Sequence, residues 1–245
     1  MQRFFAPGRT ELAGNHTDHQ LGRVLAASVD VGITARATRR RDRRVCIHSK
    51  GFRPFTVVLD DLAVDPRAYG KPWALVRGMA AARNVICTYH IGRGLQGIMP
   101  NDVFICNGVS EAASMLLNAL IGTGDEILLP SPCYSLWSNN TYLGGGKPVH
   151  YRCDPKKDWN PDLEDIRGKI TARTKAILVI NPNNPTGAVY GKETLLAIAQ
   201  LAREHHLLLL ADEIYDRLVM DGIPSYSLAA LAPDLPCVTF NGLSK

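Results

Sequence analysis

The chain has 245 residues, of which 46% are hydrophobic and 21% charged, with a formal net charge of +5. That length suits one large domain or two small ones, and the apolar share is enough to bury a core, which argues for a soluble globular protein. No run approaches the ~18 continuous apolar residues of a membrane helix, and MQRFFAPGRTE lacks a secretory apolar segment, so a cytoplasmic location without a membrane partner is expected.

Residues 1–62 read as strands and turns. RVLAASVDVGITARA and VCIHS are rich in β-branched residues and flank the turn ATRRRDRRV, and PFTVVLDDL follows. The turn crowds Arg39, Arg40, Arg41, Arg43 and Arg44 together. A nucleic-acid footprint would repeat along a face with interleaved aromatics, so a solvated turn is the better account and no nucleic-acid partner is expected. Six cysteines, at 46, 87, 106, 133, 153 and 237, form no CxxC pair and suit reduced core thiols.

The texture changes near residue 80, and from about Arg83 helices and strands alternate. Ala113, Leu116, Leu117 and Leu120 mark one helix by their three-and-four spacing, and Leu195, Ile198, Ala199 and Ala202 mark another. A short strand before CNGVSE, then EILLP, KPVHY, KAILVIN, HLLLLAD and CVTFN, supply strand-length apolar runs. Strand and helix in series predict a mainly parallel sheet with helices on both faces, and ligands in such sheets bind at the carboxyl ends of the strands.

Those ends carry chemistry. CNGVSEAASMLLNAL opens a helix whose N–H groups suit a phosphate, or else a serine simply caps it. PSPCYSLW brings Tyr134 and Trp137 to a strand end, as ring-stacking groups or as core. NPNNPTG packs two prolines and three asparagines into a turn able to hold an amide toward a ligand oxygen. Asp212 and Glu213 follow four leucines, so each carboxylate is paired or functional. The last strand is expected to end in Lys245, where a half-buried amine favours Schiff-base chemistry. Phosphate site, aromatic plate, asparagine, aspartate and lysine are the parts that pyridoxal phosphate needs.

NGVSE, GDEILLPSPCYSLW, GGKPVHYRCD, INPNNPTGAVY, ADEIYD and TFNGLSK, in that order, resemble the fold-type I aminotransferases of the alanine-aminotransferase-like branch, over about residues 83–245. The resemblance implies transfer of an amino group between an amino acid and a 2-oxo acid, with pyridoxal 5'-phosphate as cofactor. It implies Lys245 as the lysine that bonds the cofactor and shuttles the proton, and Asp212 as the partner of the pyridine nitrogen. Asn184 and Tyr215 would bond the ring hydroxyl, Tyr134 would stack on the ring, and Val109, Ser110 and Ser244 would contact the phosphate. The family's later arginines, the rest of its sheet and the glycine and tyrosine segment before Arg83 have no counterpart in these 245 residues. Weak cofactor capture is therefore expected of them alone, and a homodimer is implied by the family but not assured.

FFAPGRTELAGNHTDHQLGRVLAASVD resembles the substrate-recognition signature of galactokinases, members of the GHMP kinase family, and the likeness continues to about Ala82. It implies that Arg9 lies near the transferred phosphoryl group and that His16 and Asp18 bind the hydroxyls of a hexose. Glu11, Asn15 and His19 depart from that family's usual residues. Neither GRG at 92–94 nor GGG at 144–146 has a serine-rich helix start to cradle ATP, so a binding remnant rather than a kinase is expected. His16, Asp18 and His19 lack the further ligands that zinc needs, and no metal is expected. The expected organisation is a small β-rich α+β segment over 1–82 and an incomplete α/β aminotransferase large domain over 83–245. A catalytically silent fusion or fragment is the remaining alternative.

Overall fold

A computed structural model describes residues 2–13, 25–60 and 71–245. Two compact units divide the chain, Met1–Arg77 and Gly78–Lys245.

In the first unit, β1 (Gln2–Ala13) and β2 (Leu25–Ala37) pair antiparallel, with a register shift between Pro7 and Gly8. A proline has no N–H for a ladder, and a bulge is where strands tolerate one. β3 (Arg44–Ile47) and β4 (Phe55–Val58) form a second antiparallel pair. The arginine turn is exposed: Arg40 pairs with Asp42 at 2.5 Å and Arg43 with Asp60 at 2.5 Å, as a solvated turn requires.

Helix α1 (Pro72–Gly92) starts eleven residues before Arg83, where alternation of helix and strand is expected to begin. Its start uses a proline, which the first turn tolerates. Its apolar side chains run round the helix rather than in one stripe, since Leu75, Met79, Val85 and Ile91 are all exposed, and so the periodic signal fails. There follow α2 (Gly108–Leu120), β5 (Glu126–Ser131), α3 (Ser135–Leu143), β6 (Lys147–Asp154), β7 (Asn160–Pro161) and α4 (Leu163–Lys169). Then come β8 (Thr174–Ile180), α5 (Lys192–Glu204), β9 (Leu208–Asp212), α6 (Leu228–Leu231) and β10 (Cys237–Phe240). The expected strand before CNGVSE does not form: residues 103–106 pair with no neighbour in the sheet.

Six strands lie in the order β10-β9-β8-β5-β6-β7, and all neighbours are parallel except the two-residue β7. Alternate residues of each strand face opposite cores. Leu128, Ile177, Val179, Leu209 and Ala211 pack with α4, α5 and α6 through Ile166, Leu195, Ile198, Ala202 and Leu228. Ile127, Leu129, Ala176, Leu178, Ile180 and Leu210 pack with α2 and α3 through Ala113, Leu117 and Trp137. Helices therefore cover both faces, and the near-continuous apolar runs follow from strands buried on both sides. Among the described residues no helix is long and apolar enough to cross a membrane.

The glycine runs are helix stops. Gly144 ends α3 and Gly145, at φ +85°, turns the chain into β6, while Gly94, at φ +95°, follows α1. Left-handed backbone of this kind is where glycine alone is unstrained.

Candidate active site

Because β5, β8, β9 and β10 are parallel neighbours, their carboxyl ends lie along one edge of the sheet, and the exit segments of β5, β8 and β9 each carry a predicted residue there. β8 leaves through the asparagine and proline turn. Asn181 Oδ1 accepts from the Tyr190 backbone N–H at 2.8 Å, and Asn183 Oδ1 accepts from the Thr186 N–H at 3.2 Å and hydroxyl at 2.9 Å. Two buried asparagines thus pin the turn, leaving Asn184 half-buried with its amide Nδ2 3.5 Å from the Tyr215 hydroxyl. The structure brings these two predicted residues face to face from separate exit segments.

Asp212, the last residue of β9, is 4% exposed. Its Oδ2 accepts from Trp137 Nε1 at 3.0 Å and its Oδ1 from the Ile214 N–H at 3.3 Å. No cation among the described residues pairs with it. Burial pushes its carboxyl up from the ordinary range, against the lowering effect of those two N–H donors. Its neighbour Glu213 is 2% exposed but sits 2.5 Å from Arg93 Nη1 and accepts from the Leu228 N–H at 3.0 Å. Of two carboxylates expected to be paired or functional, one is paired and the other retains capacity for a cationic N–H.

Trp137 is core, fully buried and edge-on to Phe240 with ring centroids 4.9 Å apart, yet it also donates to Asp212. Tyr134 immediately precedes α3 and is 46% exposed, unlike the buried Trp137. Cys133 beside it is no nucleophile at neutral pH, because burial, with Asp212 adding to it, pushes its thiol up to about 12. All six cysteines are free.

Val109 and Ser110 lie in the first turn of α2. Ser110 does not cap the helix: the cap position is Asn107, whose side chain makes no capping bond, and Gly108 carries φ +77°. The Asn107 N–H is instead taken by the Glu111 carboxylate at 2.6 Å and the Gly108 N–H by the Cys106 carbonyl at 2.9 Å, while among the described residues no side chain takes the Val109 or Ser110 N–H, the groups of this helix start that suit an anion.

Lys245 and Ser244 stand apart from the expected position. β10 stops at Phe240, five residues earlier, and Gly242–Lys245 are exposed rather than half-buried. The reason is the neighbour: the ladder's last pair is Asp212 with Phe240, after which β9 turns away through Glu213–Asp216 and offers nothing to pair with. In the first unit Arg9 lies in β1 opposite Ser28, while His16, Asp18 and His19 fall outside the described residues. Among the described residues no cluster of three or more His, Cys, Asp or Glu could hold a metal.

Sequence reasoning missed Trp137 as the donor to Asp212 and missed Arg93 altogether. The Arg93–Glu213 contact joins residues 120 apart, and nothing in ARNVICTYHIGRG points to it.

Residues 76–245 match the model of the class I and II aminotransferases. The chain belongs to that family. Its members depend on pyridoxal phosphate. Alanine aminotransferase from Mycobacterium bovis is 48% identical over 196 residues, 80% of this chain and 46% of that protein. Glutamate-pyruvate aminotransferase AlaA from Escherichia coli is 47% identical over 192 residues, 78% of this chain and 47% of that protein. Among solved structures, an alanine aminotransferase from Pyrococcus furiosus superposes with a TM-score of 0.66 at 44% identity, covering 68% of this chain and 42% of that one. The chain spans about half the length of the curated aminotransferases it matches. Aligned stretches of 196 residues also exceed the span from Arg83 to Lys245, so the aminotransferase likeness reaches further toward the N-terminus than the motifs alone indicate. Residues 2–39 match the galactose-binding signature of galactokinases.

Proposed function

We propose that this chain carries a cofactor-binding portion of an aminotransferase that exchanges an amino group between an amino acid and a 2-oxo acid, with alanine and glutamate the favoured donors. The donor choice rests on the names of the relatives. One observation carries the reading: Asp212 is a buried carboxylate with two neutral N–H donors and, among the described residues, no cation, at the carboxyl end of a central strand, while Glu213 beside it has Arg93. An uncompensated buried carboxylate is expensive unless a ligand brings the positive charge, and a protonated pyridine nitrogen does so.

The remaining donor set fits the same group. The Asn184 amide and Tyr215 hydroxyl would hold the ring oxygen, Tyr134 would cover one ring face, and the α2 start with Val109 and Ser110 would take the phosphate, aided by Ser244. Pyridoxal phosphate, when bound, supplies an electron sink for the substrate's Cα–H bond. Within the chain, Asp212 would keep the pyridine nitrogen protonated, Trp137 would hold Asp212 in orientation, and Lys245 Nζ would anchor the cofactor and carry the proton. The test is incubation of the purified chain with pyridoxal phosphate, borohydride reduction and peptide mapping. An adduct confined to Lys245, in the partial yield that weak capture implies, is expected, and its loss in Asp212→Ala; scattered or absent labelling would overturn the reading in favour of a catalytically silent chain.

The match over residues 2–39 favours a second, separate property: binding of a hexose by the N-terminal segment through Arg9, His16 and Asp18, without phosphoryl transfer. Galactose is expected to raise the thermal midpoint of the intact chain. Equal midpoints with galactose and with sorbitol would dismiss it.

A further inference from the structure

The turn after β9 holds a second acidic side chain that the cofactor reading does not use. The Asp216 side chain is 3% exposed, and three donors converge on its Oδ2: the Tyr89 hydroxyl at 2.6 Å, Asn241 Nδ2 at 2.7 Å and Arg93 Nη1 at 3.0 Å. The same Arg93 nitrogen serves Glu213, so one guanidinium is shared between two buried carboxylates. Neutralising Glu213 alone would need Arg93 and nothing more. A second carboxylate brought to the same cation adds repulsion and desolvation, which the neutral donors Tyr89 and Asn241 offset.

What the extra carboxylate gains is a hold on the exit of β10. The Glu213 N–H donates to the Phe240 carbonyl at 2.8 Å, which closes the ladder. One residue further on, the Asn241 side chain bridges two directions, donating to Asp216 and accepting from the Gly242 N–H at 2.7 Å. Among the described residues no hydrogen bond holds Leu243, Ser244 or Lys245. Asn241 is therefore the last tether before the lysine, and Asp216 is what Asn241 is tied to.

We propose that Asp216 is a positioning residue: through Asn241 it fixes the direction in which the segment bearing Lys245 leaves the sheet. The inference rests on the role given to Lys245 above. Tyr89 of α1 and Arg93, in the turn just after it, fix Asp216 in turn, and the Arg217 guanidinium lies 4.5 Å from the Tyr89 ring centroid and shields its face.

The test compares the unaltered chain with Asn241→Ala, which leaves the carboxylate cluster intact, and with Asp216→Ala. In the unliganded chain, backbone 15N relaxation of Gly242–Lys245 is expected to show greater amplitude in either variant, with no further increase in the double variant because one tether is cut. Unchanged relaxation in Asn241→Ala overturns the proposal even if Asp216→Ala fails to fold. With pyridoxal phosphate, the yield of reduced adduct at Lys245 in Asn241→Ala is expected to fall about tenfold while its thermal midpoint holds. The exchanged pair Asp216→Asn with Asn241→Asp, which restores a donor facing an acceptor, is expected to recover the yield. A yield that falls only in step with the midpoint marks a merely structural cluster and overturns positioning. No adduct in the unaltered chain overturns the role of Lys245 instead, a result the relaxation data distinguish.

Discussion

Asp212 and Glu213 are consecutive and almost equally buried, yet one meets an arginine and the other a tryptophan N–H. The folded-state carboxyl of Asp212 is raised above its unfolded value, so the unfolded chain binds fewer protons as pH climbs past the ordinary carboxylate range, and stability falls with it. Asp212→Asn is therefore expected to raise the thermal midpoint of the unliganded chain at pH 7 by about 2–4 °C, with the gain vanishing near pH 4, while abolishing cofactor capture. A gain that did not vary with pH would rule out burial of the charge as its cause. Trp137→Phe keeps the edge-on packing against Phe240 and deletes the donor, and an absorbance titration is expected to show roughly tenfold weaker cofactor binding. Both carboxylates were legible in the sequence as residues that four leucines could not leave bare. Which of them was paired was not, because Arg93 lies 120 positions away.

Among the elements, the parallel strands were legible because burial on both faces forces continuous apolar runs, and α2 and α5 because one face of each is buried against the sheet. Helix α1 was not, since its apolar residues encircle it, and the nine-residue α3 and seven-residue α4 are too short for a period to declare itself. The strand expected to run into Lys245 stops early because its neighbour turns away, a fact of pairing that no single strand's sequence contains. GGG at 144–146 has a turn's job. Gly145→Ala places a side chain at φ +85° and is expected to lower the unfolding free energy by roughly 1 kcal/mol, read from the urea midpoint.

At the scale of the second unit, two cores share one sheet, and Arg93 links the turn that follows α1 to the turn after β9. Arg93→Ala leaves two buried carboxylates without their cation and is expected to destabilise by about 3–5 kcal/mol in denaturant titration. Arg93→Lys, a point charge without the planar fork, is expected to recover only part of that.

The alternation of β9 has one more consequence. Leu207, Leu209 and Ala211 face one core, Leu208 and Leu210 the other, so parity alone decides that Asp212 meets Trp137 while Glu213 meets Arg93. By composition any one of the four leucines is redundant. By parity none is: deleting one would leave an equally apolar strand and deliver Glu213 to the tryptophan and Ile214 to the arginine. The leucine run thus works as a spacer whose information is its length, and the hazard to this site from a single-codon deletion there exceeds that from any conservative substitution within it.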